Sequence, residues 1–471
     1  MKKQVILFLF AVICSLAANA QIGGVLYSSS RVPQMNVQNP VFYPSNNTFY
    51  ISLPSVGLNF VSPISYEDIV TFNTEKDEDE ININNIIDNH GDGARTQLDL
   101  NVLGLGGGFR KNNLFMTFSS QVMATVNLGV PSGLLTFLKD GYVDDGTSHE
   151  LCLIDGDLLS AQVYTEYALG GGYTFFDRLT VAAKVKLLEG YFDLHTTDSY
   201  LKIYKAADMT SLKADVYYNL LTSSLAEDEN IDLFPRNFGI AFDFGAKYEW
   251  NGFEFSASIL DVGKGIHWKD NVKNRVPADG GSTFDIPGIR VCDGKLVVDT
   301  MSADYRDSFE RLLDFETTDG EDYWTKLPMK LNLGVMYSPV DMLKFGVLYH
   351  GEVDQNVSEY NNLGEIVKAS RLRSSASVMG CLNLSDWFEL MLCNSVVSNG
   401  KDVDWLNPGL GINLSLFRTF QMYLTVDYVS DIRIVEAKQL KMGFGINLLF
   451  GNGRKSAKAP KAPDEDVQDK R

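Results

Sequence analysis

From residue 114 onward the chain alternates between apolar and polar positions. Leu114, Met116, Phe118, Val122, Val126 and Leu128 fall on one set of positions, with Thr117, Ser119, Gln121, Thr125 and Asn127 between them. Phe238, Ile240, Phe242, Phe244, Ala246, Tyr248 and Trp250 form a second such face, opposite Asp243, Lys247 and Glu249. A third runs Leu440, Met442, Phe444, Ile446, Leu448 and Phe450 against Gln439, Lys441, Gly443, Gly445 and Asn447. A period of two puts successive side chains on opposite faces of a strand. Runs of about a dozen residues suit a tilted membrane-spanning strand of ~9–11 residues better than a sandwich strand of ~5–6.

The connections sort by length. Tight turns are predicted at 110–113, 176–178, 251–252, 339–341, 384–386 and 418–419, and Asn251-Gly252 is a strong two-residue hairpin signal. Long connections fall between them, at 62–96, 129–158, 193–236, 262–326, 352–370, 397–406 and 430–437. Short and long links alternate without exception, as they do in outer-membrane barrels with short periplasmic turns and long outer loops. The predicted fold is therefore all-β: an antiparallel transmembrane β-barrel of about 14 strands over residues 49–450. The link 193–236 leaves two readings open, a further hairpin or a short helix around 206–225.

The ends of the chain read differently. Lys2 and Lys3, an apolar stretch over 5–16 and Ala18-Asn19-Ala20 make residues 1–20 a signal peptide. Beyond it no run approaches the ~18–20 apolar residues of a helical span, so a closed barrel is the route left for crossing a membrane. Residues 451–471 are Lys, Pro, Ala and acid with no core-forming side chains, and are expected to be a disordered periplasmic tail. Residues 21–48 carry Pro33, Pro40 and Pro44 without sustained alternation; they are either a periplasmic leader or a hatch folded into the lumen.

Composition narrows the chemistry. The formal net charge of −19 over 471 residues argues against nucleic acid as a partner, since neutralising phosphates needs a Lys/Arg surplus. Much of the acid lies in predicted outer loops such as 75–80 and 140–157, which leaves the lipid belt neutral. None of the five histidines sits in a specific catalytic frame, so no enzyme and no cofactor are expected. Asp88, Asp92 and Asp99 follow a degraded calcium-loop spacing, against which stands a plain acidic solvated loop. Opposite the apolar faces fall Lys184, Lys186, Lys247, Glu249, Lys330, Glu389 and Asp427, the expected lumen-facing charges of both signs. Cys381 and Cys393 lie equidistant from Trp387 beside a tight turn and share a face, so they are either a cross-strand disulfide or two unpaired thiols.

Several short stretches carry a resemblance: Asn39-Pro40 ahead of the first strand, the entry at 49–54, and residues 133–141, 184–190 and 258–268. In these the chain resembles a domain-of-unknown-function family of Bacteroidota outer-membrane barrels, similar in architecture to the fourteen-stranded long-chain fatty-acid transporters. The transporters carry an Asn-Pro-Ala in a lumenal hatch; here Val41 stands in the third place, so only Asn39 and Pro40 carry over as hatch residues. The resemblance implies passive uptake or export of a hydrophobic or amphipathic solute through a hatch-gated lumen. The alternative is a structural or secretion-accessory barrel whose long outer loops bind a secreted or surface protein. Outer-membrane lipid, lipopolysaccharide and the barrel-insertion machinery, which would read the terminal strand ending at Phe450, complete the expected partners.

Overall fold

The computed structural model describes residues 24–44, 47–62, 70–73, 78–81, 94–130, 133, 137, 150–155, 158–205, 212–224, 236–277, 282–285, 289–292, 295–298, 315–360, 366–398, 403–417, 419–428 and 439–451. Residues 1–20, expected to be a signal peptide, Asp88, Asp92 and the residues beyond Gly451 lie outside them.

Fourteen antiparallel strands close into a barrel. The first, β1, is split into Phe49–Ser52 and Ser55–Val61, because Pro54 has no N–H to give the ladder. Next come β2 (Ala94–Lys111), β3 (Leu114–Val130), β4 (Leu159–Phe175), β5 (Leu179–Lys205) and β6 (Asn237–Trp250). The far wall is β7 (Phe253–Trp268), β8 (Met329–Val340), β9 (Leu343–Tyr360) and β10 (Ile366–Asn383). The last four are β11 (Phe388–Ser398), β12 (Val403–Leu416), β13 (Phe420–Asp427) and β14 (Gln439–Phe450). Each strand pairs with its chain neighbour, and β14 returns to β1 with Phe49 opposite Phe450. Closure leaves the bilayer-depth sheet no free edge.

Every predicted tight turn is a hairpin. Asn251 and Gly252 both have positive φ (49° and 84°), the backbone a two-residue type I′ turn demands. The turn placed at 339–341 falls one residue later, since β8 runs to Val340 and β9 starts at Leu343. The long link 193–236 holds a hairpin and not a helix: β5 continues to Lys205 and Leu212–Ser223 folds back along it. This makes β5 27 residues long and carries the sheet beyond the barrel proper at the loop end. Lys273–Pro277, Ser282–Asp285 and Phe315–Asp319 extend the same sheet inside the link 262–326.

The outer surface carries the apolar alternation. Leu169, Ile240, Phe244, Val347 and Val378 are 57, 53, 48, 52 and 66 % exposed, an apolar band that needs a hydrocarbon solvent. The opposite positions face a bore that residues 24–44 fill. Val25, Leu26, Tyr27, Val32, Met35, Val41, Phe42 and Tyr43 are buried there with wall residues Tyr50, Phe115, Met336, Met379, Met391 and Tyr423.

Candidate functional site: the lumenal plug and the cavity above it

The plug is a short compact coil. A single helical turn, α1 (Gly24–Tyr27), leads into a 3₁₀ turn over Pro33–Val37 that begins at a proline, whose fixed φ suits the first helical position. The coil closes on itself through Asn36, whose Nδ2 donates to the carbonyls of Pro40 (2.9 Å) and Phe42 (2.8 Å). Tyr27 packs edge-on against Phe42 with ring centroids 4.9 Å apart. Arg31 is the one charged residue between 24 and 44. Its guanidinium is taken up by main-chain acceptors of the wall, Nη1 donating to the carbonyls of Ser385 (2.9 Å) and Asp386 (3.3 Å), so the segment fills the bore without a charge that needs a buried counter-ion.

The wall receives the plug on two sides. Toward β11 and β13, the N–H of Val25 donates to Asp427 Oδ1 (2.9 Å) and Ser29 Oγ donates to Glu389 Oε2 (2.9 Å). Toward β5–β8, Lys184 Nζ donates to the Asn36 carbonyl (2.7 Å), while Ser258 Oγ and Asn332 Nδ2 both donate to the Gln38 carbonyl (2.9 and 2.8 Å). Asn39 Nδ2 reaches the Ala257 carbonyl at 3.3 Å. Glycines in the wall make the seat deep enough. A Cβ on Gly411 would lie 2.4 Å from Val25 Cγ1, and one on Gly245 would lie 2.3 Å from Asn39 Oδ1 and 3.1 Å from Pro40 Cδ. Asn39 and Pro40 thus rest on bare backbone of β6. Among the described residues no salt bridge joins plug to wall.

Above the plug the wall builds its own ionic network. Lys186 Nζ lies 2.6 Å from Asp261, 3.0 Å from Asp243 and 3.3 Å from Glu166, and Lys330 Nζ lies 3.0 Å from the other oxygen of Asp261. Gln121 Nε2 donates to Glu166 (2.8 Å). Asp261 reaches this centre because β7 bulges: Phe242 pairs with Val262 and Phe244 with Ile259, so Leu260 and Asp261 both oppose Asp243 and both turn inward. The backbone of Asp261 is left-handed (φ 62°), and its N–H donates to Asp243 Oδ1 at 2.9 Å.

Between network and plug lies a cavity of about 60 Å³. Gly24, Val37 and Gln38 of the plug form its floor. Its walls mix Met123, Leu260 and Leu348 with His350, Tyr428 and Lys441. His350 Nδ1 is fixed by Asn332 Oδ1 at 2.6 Å. Lys441 is 6 % exposed, its ammonium 5.4 Å from the Tyr428 ring centroid, and among the described residues it makes no salt bridge.

The residues singled out by alternation meet different fates. Lys184, Lys186, Lys330, Glu389 and Asp427 point into the bore as described. Lys247 is mostly covered, but Glu249, 2.7 Å from it, has a half-exposed side chain at the turn-end rim. Asp99 lies inside β2, opposite Asn59 and bonded to it (2.8 Å) and to Gln97, so it cannot serve as the twelfth ligand of a calcium loop. Among the described residues no three His, Cys, Asp or Glu side chains gather as a metal-ligand set. Cys381 and Cys393 are free thiols: the first donates to Glu389 (3.1 Å), the second to Asp427 (3.3 Å). Their expected symmetry about Trp387 misses by one residue, because the register sets Cys381 opposite Met391 and Cys393 opposite Met379. The two thiols are therefore diagonal neighbours and not a facing pair. Alternation passed over Asp261, since a bulge shifts the parity it relies on; the adjacent inward pair Leu260-Asp261 is the trace of that shift.

No curated protein matches the sequence. Solved structures with a similar outline include a deletion mutant of the monoaromatic hydrocarbon channel TodX, at 10 % identity and TM-score 0.46 over 93 % of this chain and 96 % of that one. The Ralstonia pickettii toluene transporter TbuX aligns at 10 % identity and TM-score 0.43, covering 91 % of this chain and 98 % of the other. A Pseudomonas aeruginosa FadL homologue aligns at 8 % identity and TM-score 0.45, covering 92 % and 96 %. The model of a family of unknown function, DUF5723, matches residues 40–427, and the chain belongs to that family.

Proposed function

We propose that the protein is an outer-membrane barrel that passes a hydrophobic or amphipathic solute through its lumen, with residues 24–44 as the gate. The observation that carries this reading is the cavity whose floor is the plug itself: a solute resting on Val37 and Gln38 is held until that floor moves. Apolar Met123, Leu260 and Leu348 would take the body of the solute, and His350, Tyr428 and Lys441 its polar end. A plug seated by hydrogen bonds without an ion pair is a releasable one, since neutral bonds add only about 0.5–1.5 kcal/mol net each and those to Asp427, Glu389 and Lys184 about 1.5–3.

Reconstitution in liposomes tests the gate. Deleting residues 24–44 is expected to raise permeation of small amphipathic solutes well above the intact protein, while Lys441→Met weakens saturable uptake of anionic ones. A deletion variant that folds, shifts on heating in gels and still passes nothing would defeat the transport reading.

A further inference from the structure

At the loop end the wall stops closing between β8 and β9. Their ladder runs from Val340 opposite Leu343 only as far as Met329 opposite Val353. Beyond it the chain leading into β8 pairs away from the seam: Tyr323–Thr325 with 266–268, and Phe315–Asp319 with 273–277. The continuation of β9 over 354–360 likewise pairs away, with 366–371 of β10. Two strand edges therefore border one seam, and among the described residues neither has a ladder partner on the seam side. All five residues of Phe315–Asp319 are exposed.

An unpaired edge offers a row of N–H and C=O groups whose complement is another extended polypeptide. The charges state which kind. Glu316, Asp319, Glu321 and Asp322 lie along the Phe315–Asp319 border with no Lys or Arg from 315 to 325, and the other border carries none from 354 to 360. The strand already on the far side of the edge is basic: Lys273 Nζ lies 2.8 Å from Asp319, and the Arg275 guanidinium sits 5.5 Å from the Phe315 ring centroid. An acidic edge with a basic strand on one side and a vacant second side is half of an alternating charge pattern. Phe315 and Trp324, about half exposed, add apolar purchase.

We propose that this seam is a docking site for a partner protein, which adds an extended Lys/Arg-bearing strand to Phe315–Asp319 by main-chain pairing. The test uses the full-length barrel in detergent and a fluorescent peptide of about nine residues alternating Lys with Val and Thr, a strand's usual length or slightly more. A second peptide of identical sequence and charge is N-methylated at alternate residues. The parent peptide should bind, read by anisotropy at physiological ionic strength. The methylated one should bind at least about tenfold more weakly, as should the parent on the Glu316→Lys/Glu321→Lys barrel. The variant's heat-shifted gel band controls for folding. Equal binding of the methylated peptide would reduce the site to charge attraction, equal binding by the variant would move it elsewhere, and no binding of the parent would remove it; each overturns the proposal.

Discussion

On the β4–β8 side of the bore, Asp243 and Asp261 meet Lys186 at 3.0 and 2.6 Å; on the β11–β13 side, Glu389 and Asp427 meet Ser29 Oγ and the Val25 N–H, both at 2.9 Å. All four carboxylates are buried on the lumenal face of a strand. The first pair is held by fixed cations of the wall, the second by neutral donors, some of them on a segment outside the wall. The difference separates what must stay from what can leave. Breaking a wall ion pair strands a buried charge, whereas withdrawing the plug breaks hydrogen bonds that water entering the bore can replace.

The largest effect that would break this contrast is on the wall side. Lys186→Met leaves Glu166 and Asp243 without their nearest cation, and removing one partner of a buried pair costs about 3–5 kcal/mol. The temperature at which the folded band survives in detergent should fall sharply. A melting point within error of wild type would mean that the network does not hold the cylinder together.

A smaller effect is expected from closing the seat of the plug. Gly245→Val introduces atoms where Asn39 Oδ1 would lie 2.3 Å from the Cβ alone, and overpacking of this kind costs about 1–3 kcal/mol. Because the strain falls on the plug, the barrel should melt as before while trypsin cuts after Arg31 more readily. Unchanged cleavage with a lowered barrel melting point would place the plug among the structural parts of the wall.

The barrel was legible in the sequence because its two solvents are so different. Lipid on one side and packed polar groups on the other force the strict period of two seen at 238–250 and 439–450, and chain-neighbour pairing forces the alternation of short and long links. Where the backbone leaves the regular ladder, parity loses its meaning. The bulge at Asp261 assembles the ionic centre from two adjacent residues, and alternation assigns only one of them inward. Height along the strand is equally invisible: Lys247 and Glu249 share parity, yet one is covered and the other half exposed at the rim. The plug has no period at all, since its conformation is set by the cavity it fills. Wall glycines such as Gly245 and Gly411 look in the sequence like any other strand glycine.

Removing charge from the plug's anchor sharpens the contrast at lower cost. Glu389 accepts Ser29 Oγ and Asn413 Nδ2 on one oxygen and Cys381 Sγ on the other. Glu389→Gln keeps the shape but turns one acceptor into a donor, a loss of about 1 kcal/mol for the weakened bonds. Hydrogen exchange should quicken over residues 24–44 and stay slow in β10–β13. Faster exchange in the strands instead would show that Glu389 serves the wall more than the plug.

The smallest effect belongs to the rim, where the same pairing of Lys with Glu should count for little. Lys247 and Glu249 are 2.7 Å apart, closer than Lys186 and Asp243, yet the Glu249 side chain is half exposed. Water screens such a pair, and exposed ion pairs contribute roughly 0–1 kcal/mol. Glu254 at 3.9 Å remains near Lys247 when Glu249 is lost, so the lysine is not left without a carboxylate. Glu249→Gln should therefore leave barrel melting and cleavage at Arg31 close to wild type at any ionic strength. A loss comparable to that of Lys186→Met would mean that distance outweighs burial here, and the division between wall network and plug would have to be redrawn around the rim.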